Sequence, residues 1–119
     1  MVVVRSTGLP VTLTIHGEPA SKANSRQIVT IRGRPAVIKS KKARLYVAEF
    51  AAQCPKIEPL LDGDLIATIH IFYRTRRPDL DASVVLDCLQ NRVIENDRQF
   101  KELHLYHGID RENPRAEIS

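Results

Sequence analysis

The sequence predicts one α+β domain, residues 1–119, built from a small mixed β-sheet and two main helices. Segments in which apolar and polar residues alternate, the pattern of half-buried strands, occur in both halves of the chain. Two stretches with helical spacing lie among them. No linker, repeat or low-complexity segment divides the 119 residues, a length typical of one domain. We therefore expect two helices and about five or six strands.

The first half of the chain predicts a strand and a hairpin. Residues 11–17 alternate as a half-buried strand, and residues 18–26 are polar with small side chains, as in a loop. Residues 28–38 predict two short strands around Arg32–Gly33–Arg34, the arrangement of a β-hairpin.

A helix and the strongest strand follow. Ser40 is a suitable N-cap for a helix over residues 41–53, and Pro55 ends that helix. Asp62–Gly63–Asp64 predicts a turn. Residues 65–74 then alternate as a strand, with Ile69, Ile71 and Tyr73 on one face.

The second half continues with shorter elements. Residues 82–90 predict a short helix, although the β-branched pair Val84–Val85 is unfavourable there. Residues 101–109 alternate as a strand, and the C-terminal residues 111–119 predict an additional strand at the sheet edge.

Charge is distributed unevenly along the chain. Residues 1–56 contain ten Lys or Arg and two Glu, a net charge of +8, whereas residues 57–119 contain eight basic and twelve acidic residues, a net charge of −4. This asymmetry indicates a polyanion-binding surface beside a carboxylate site, although an ordinary solvated surface would show similar charges. The basic residues that are candidates for contacts with phosphates of such a polyanion are Lys22, Arg26, Lys39, Lys41, Lys42, Arg74, Arg76 and Arg77.

The sequence contains no apolar stretch approaching the roughly 20 residues of a membrane span. Its first residues, MVVVRSTGLP, lack the apolar core and cleavage site of a secretory signal. We therefore expect a cytoplasmic protein without a membrane partner.

Three aspartates, Asp79, Asp81 and Asp97, are candidates for metal ligands and catalytic residues. Residues i and i+2 of an extended chain face the same side, so Asp79 and Asp81 can approach one cation if the segment is extended and the helix begins near Asp81. Carboxylate oxygens suit Mg²⁺, which activates water and polarises a scissile phosphate. Either residue could instead cap the short helix, and Asp97 could be an ordinary loop aspartate.

The segments RRPDLD and LDCLQNRVIENDRQ resemble the RusA family of Holliday junction resolvases. That family carries an RxDLDN-type segment, a short helix, and a loop with an acidic pair followed one residue later by glutamine. Here the loop is Glu95–Gln99. IHGEPASKANSR and IKSKKARLYVAEF resemble the opening strand, basic loop and first helix of phage-borne members.

The resemblance implies a homodimer that binds four-way DNA junctions and makes paired nicks with Mg²⁺, for which Mn²⁺ substitutes. It maps the metal-binding aspartates onto Asp79, Asp81 and Asp97. The alternative is a non-enzymatic branched-DNA-binding protein of the same fold. A basic RNA-binding domain is disfavoured because it leaves the aspartates unexplained.

Three positions depart from the family pattern. Ala82 replaces an asparagine, Val85 replaces a catalytic lysine, and Asn96 replaces the first acid of the acidic pair. Arg76, Arg77 and Lys22 are the cations expected to compensate for the lysine. Because Val85 lies on the apolar face of the predicted helix, we expect it to point into the core.

Overall fold

The computed structural model describes residues 3–5, 11–20 and 26–119, the first of these by their backbone alone. Its elements are β1 (Val3–Arg5), β2 (Leu13–His16), β3 (Arg26–Ile31), β4 (Arg34–Lys39), α1 (Lys41–Gln53), β5 (Lys56–Glu58), β6 (Leu65–Tyr73), α2 (Ser83–Leu89), β7 (Phe100–Ile109) and β8 (Arg115–Ile118). The α+β class and the two helices are as predicted. The expected strand number is too low, because β1 and β5, which pair in parallel, are too short to show periodicity.

The main sheet has four strands in the order β2-β8-β6-β7. The helix α2 connects β6 to the parallel strand β7, whereas β8 runs antiparallel to both of its neighbours. The expectation that the C-terminal strand lies at an edge is wrong. β8 is an interior strand, and its Ala116 and Ile118 are buried in the core.

One face of this sheet carries the hydrophobic core. Burial alternates along β6, with Ile69, Ile71 and Tyr73 fully buried, as the period-two pattern predicts. Buried side chains of both helices belong to the same core: Tyr46, Phe50, Val84, Val85 and Leu89. Since Val85 has no exposed surface, a lysine there would place its charge in the core.

Helix α1 has the predicted bounds and cap. Ser40 Oγ accepts a hydrogen bond from the Ala43 backbone N–H at 3.1 Å, and the chain leaves the helix at Cys54, before Pro55. Its first turn contains Lys41 and Lys42 and no acidic residue, although the helix dipole favours acids there. Helix stability therefore does not explain these two lysines. No helix among residues 11–20 and 26–119 is long and apolar enough to cross a membrane.

The predicted hairpin is present as β3 and β4. Its two turn residues, Arg32 (φ 52°) and Gly33 (φ 75°), both have positive φ, as a type I′ turn requires. The strands extend slightly further than predicted, because Arg26 and Lys39 also pair.

Candidate active site

Asp79 and Asp81 lie in an irregular segment between the end of β6 and the start of α2. The helix begins at Ser83 with Ala82 as its N-cap residue, two positions after Asp81. Asp79 is exposed and Asp81 is half-buried. The carboxylate-bearing segment therefore lies at the surface, at the carboxyl end of the central strand β6.

The buried side chain of Tyr73 fixes this segment to the sheet. Its hydroxyl donates to the Asp79 carbonyl at 3.2 Å and accepts from the Asp81 backbone N–H at 3.2 Å. Burial, together with the charges of Asp81, Glu18 and Asp79, raises the pKa of Tyr73, so the hydroxyl keeps the proton that it donates. His107 Nε2 lies 3.1 Å from the Pro78 carbonyl oxygen and supports the same segment from β7.

The N-cap residue is Ala82 and not Asp81, although the Asp81 side chain still helps to cap the helix start. Its Oδ1 accepts hydrogen bonds from the Ser83 backbone N–H at 3.0 Å and from Ser83 Oγ at 2.5 Å. Its second carboxylate oxygen and the Asp79 carboxylate make no hydrogen bond or ion pair with another described residue. Capping therefore occupies one oxygen of the pair and leaves three oxygens for a ligand.

Asp97 lies at the other end of the sheet. It begins a single 3-10 turn, Asp97–Gln99, directly before β7, whose first residue Phe100 pairs with Leu65, the first residue of β6. Asp79 and Asp81 follow the last residue of the same strand, Tyr73. A nine-residue strand is about 25–30 Å long, so one chain does not bring Asp97 to the other two aspartates.

The loop around Asp97 is held by Gln99. The Gln99 Oε1 accepts from the Glu95 and Asn96 backbone N–H groups at 2.9 and 3.0 Å, and its Nε2 donates to the Leu61 carbonyl at 2.9 Å. Asn96 Oδ1 accepts from the Arg98 N–H at 2.9 Å, which completes a capping box. Sequence reasoning missed this role, although an Asn followed three residues later by Gln is a capping-box signature.

Asp79 and Asp81 place two carboxylates within one three-residue stretch of the chain. Among the described residues, no group of three or more Asp, Glu, His or Cys side chains is placed to hold a metal ion. Mg²⁺ is nevertheless usually bound by only one or two protein carboxylates, with water and substrate phosphate as its other ligands. Asp79 and Asp81 provide that number of carboxylates without Asp97.

Glu18 links the first turn of α1, which contains Lys42, to Arg74, which directly follows β6 and precedes the segment that carries Asp79 and Asp81. Its carboxylate accepts from Lys42 Nζ and from the Arg74 backbone N–H, both at 2.8 Å. Burial opposes its ionisation, but these hydrogen bonds outweigh that effect and lower the pKa of Glu18. Sequence reasoning missed Glu18, because its two partners are distant in the chain and no local pattern indicates them.

The other predicted DNA-binding residues are distributed around this connection. Arg26 and Lys39 are cross-strand partners at the base of the hairpin, directly before Lys41. The exposed residues Arg76 and Arg77 lie between Arg74 and Asp79. Lys22 lies outside the described residues. The chain order and the two Glu18 contacts thus place most of the predicted basic residues at the end of the molecule that carries Asp79 and Asp81.

The arrangement is that of a small protein with a basic surface beside a pair of carboxylates that keep three oxygens without a partner among the described residues. A family model described as endodeoxyribonuclease RusA matches residues 16–119. This defines a nuclease, and the chain belongs to the RusA family. The comparison with curated proteins gives no match. The resemblance drawn from the DLD and END-x-Q segments is therefore confirmed at the level of the family.

We expect Tyr73→Phe to slow junction cleavage about tenfold, because losing two hydrogen bonds of about 1 kcal/mol each loosens the segment that carries both carboxylates. Single-turnover cleavage rates and melting temperatures measure the effect. Tyr46→Phe is the matched control, since the Tyr46 hydroxyl is also buried but has no hydrogen-bond partner among the described residues. Equal cleavage rates for the two variants would contradict a positioning role for Tyr73.

Proposed function

We propose that the protein is a homodimeric, Mg²⁺-dependent endonuclease that resolves four-way DNA junctions by paired nicks. The observation that carries the proposal is the pair Asp79 and Asp81, whose free carboxylate oxygens are held on the rigid Tyr73-anchored segment beside a basic surface. Mg²⁺ bound there, for which Mn²⁺ substitutes, would polarise the scissile phosphate and activate water.

The strand β7 supports a dimer. It forms one edge of the main sheet and is ten residues long, and most of its residues are exposed on both faces. Leu103, Leu105 and Ile109 continue the apolar core face of β6 without a covering element among the described residues. A long, apolar, uncovered edge strand exposes unpaired backbone groups, and antiparallel pairing with β7 of a second copy would satisfy them.

This pairing would also complete the metal site. In an antiparallel pair around a two-fold axis, the start of one β7 lies beside the end of the other. The end of β7 adjoins the aspartate segment, since His107 contacts the Pro78 carbonyl. The partner's copy of Asp97, directly before its own β7, would therefore approach Asp79 and Asp81. The proposal thus accounts for all three aspartates although one chain separates them.

The basic residues have defined roles in this proposal. Arg26, Lys39, Lys41, Lys42 and Lys22 would contact phosphates of the junction arms, and Arg74 would do so near the cleavage site. Arg76 and Arg77 immediately precede the aspartates and would stabilise charge on the scissile phosphate, where the buried Val85 provides none.

Cleavage of a labelled four-way junction tests the proposal against a linear duplex with the same arm sequences. We expect symmetric nicks in opposing junction strands with Mg²⁺ or Mn²⁺, none with EDTA, and little cleavage of the duplex. Tight junction binding without cleavage in either metal would overturn the enzymatic proposal in favour of a non-enzymatic junction-binding protein. Equal cleavage of the duplex would contradict structure specificity.

A further inference from the structure

The hairpin β3–β4 forms an arm of the molecule. Its two six-residue strands pair along their whole length, from Arg26–Lys39 at the base to Ile31–Arg34 at the turn. No other described element packs extensively against them. The hairpin therefore adds little to the hydrophobic core.

One face of the hairpin exposes an apolar pair. Ile28 and Val37 are cross-strand partners, and they are 76% and 62% exposed. Their neighbours on this face are the pair Arg26–Lys39 on one side and the pair Thr30–Pro35 on the other. Two β-branched side chains so exposed bury little apolar surface within the chain and are available to a binding partner.

The charge of the hairpin identifies that partner as a polyanion. Residues 26–39 contain four basic residues, Arg26, Arg32, Arg34 and Lys39, and no acidic residue. Arg32 occupies a positive-φ turn position (φ 52°) at which Asn or Asp is preferred. An arginine at this position is not explained by turn formation, whereas a phosphate contact at the tip explains it.

We propose that the β3–β4 hairpin lies in the major groove of one duplex arm of the junction. A two-stranded β-ribbon fits that groove. The tip residues Arg32 and Arg34 contact phosphates, and Ile28 and Val37 contact base edges such as thymine methyl groups. The inference rests on the proposed junction-binding function, and it extends the DNA surface from the aspartate end of the molecule to the tip of the arm.

Two double variants separate the charged and apolar contacts. Arg32→Asn with Arg34→Thr removes both tip charges and keeps residues that suit a type I′ turn and a strand. Ile28→Ser with Val37→Ser removes the apolar pair. The matched controls are Arg111→Ala, at an exposed loop position, and Ile66→Ser, since Ile66 is 63% exposed on β6. Affinity for labelled junction is measured in EDTA at several salt concentrations, beside melting temperature and sedimentation.

We expect the arginine variant to bind about tenfold more weakly and to lower the slope of log affinity against log salt by about 1–2. The apolar variant should bind about five- to tenfold more weakly with an unchanged slope. Both controls should bind like the wild type. The inference is overturned if both hairpin variants bind the junction as tightly as the wild type does. If the wild-type protein also binds and cleaves the junction, the proposed function still stands. A change of oligomeric state in the Ile28/Val37 variant would also overturn the inference, because a second copy would then cover this face.

Discussion

Asp81→Asn is expected to reduce single-turnover cleavage of a four-way junction by about 10²–10³-fold or more. The substitution removes one of the two carboxylate charges on the Tyr73-anchored segment. An asparagine oxygen can still accept the two hydrogen bonds from Ser83 that cap α2, so the fold should be retained. Junction affinity should stay equal or rise, because one charge that repels phosphate is lost.

The control for this variant is Glu49→Gln, at an exposed position on α1. It also replaces one carboxylate by an amide and should leave the cleavage rate unchanged. Wild-type cleavage by Asp81→Asn in Mg²⁺ would exclude Asp81 as a metal ligand. A lower melting temperature together with wild-type cleavage would show that the role of Asp81 is confined to capping.

The elements that the sequence predicted well are those encoded locally. Helix α1 has the predicted bounds, because Ser40, the spacing of Ala43, Tyr46 and Phe50, and Pro55 all lie within one short stretch. The buried face of β6 follows from its period-two pattern in the same way.

Elements that depend on distant partners were predicted less well. β8 resembles an edge strand in sequence, but it lies between β2 and β6, which come from separate parts of the chain. The three-residue strands β1 and β5 are defined only by their pairing with each other. Local periodicity does not contain this information.

The candidate site also combines features that are encoded locally with features that depend on distant residues. The position of the DLD segment directly before the helix start at Ser83 was predictable from the sequence. The roles of Glu18 and Tyr73 were not, because each is defined by hydrogen bonds to residues brought close by the fold. Spacing also did not reveal that the parallel β6–β7 crossover carries Asp97 to the opposite end of the sheet.

Because Asp97 is far from Asp79 and Asp81 within one chain, the second large expected effect is complementation between two inactive variants. Asp81→Asn and Asp97→Asn homodimers should each be strongly impaired. Heterodimers that contain one chain of each kind can be isolated through different affinity tags on the two chains. If the partner provides Asp97, one of the two sites in this heterodimer contains both substitutions, and the other contains three unaltered aspartates.

We expect this heterodimer to nick junctions at about half the wild-type rate, as single nicks instead of symmetric pairs, since one of its two equivalent sites is intact. A heterodimer of Asp79→Asn with Asp81→Asn is the matched control, because both residues lie in the same segment and each site keeps one defect. It should remain inactive. If Asp97 acted within its own chain, the Asp81/Asp97 heterodimer would be equally inactive. Full activity of the Asp97→Asn homodimer would show that Asp97 binds no metal in either arrangement.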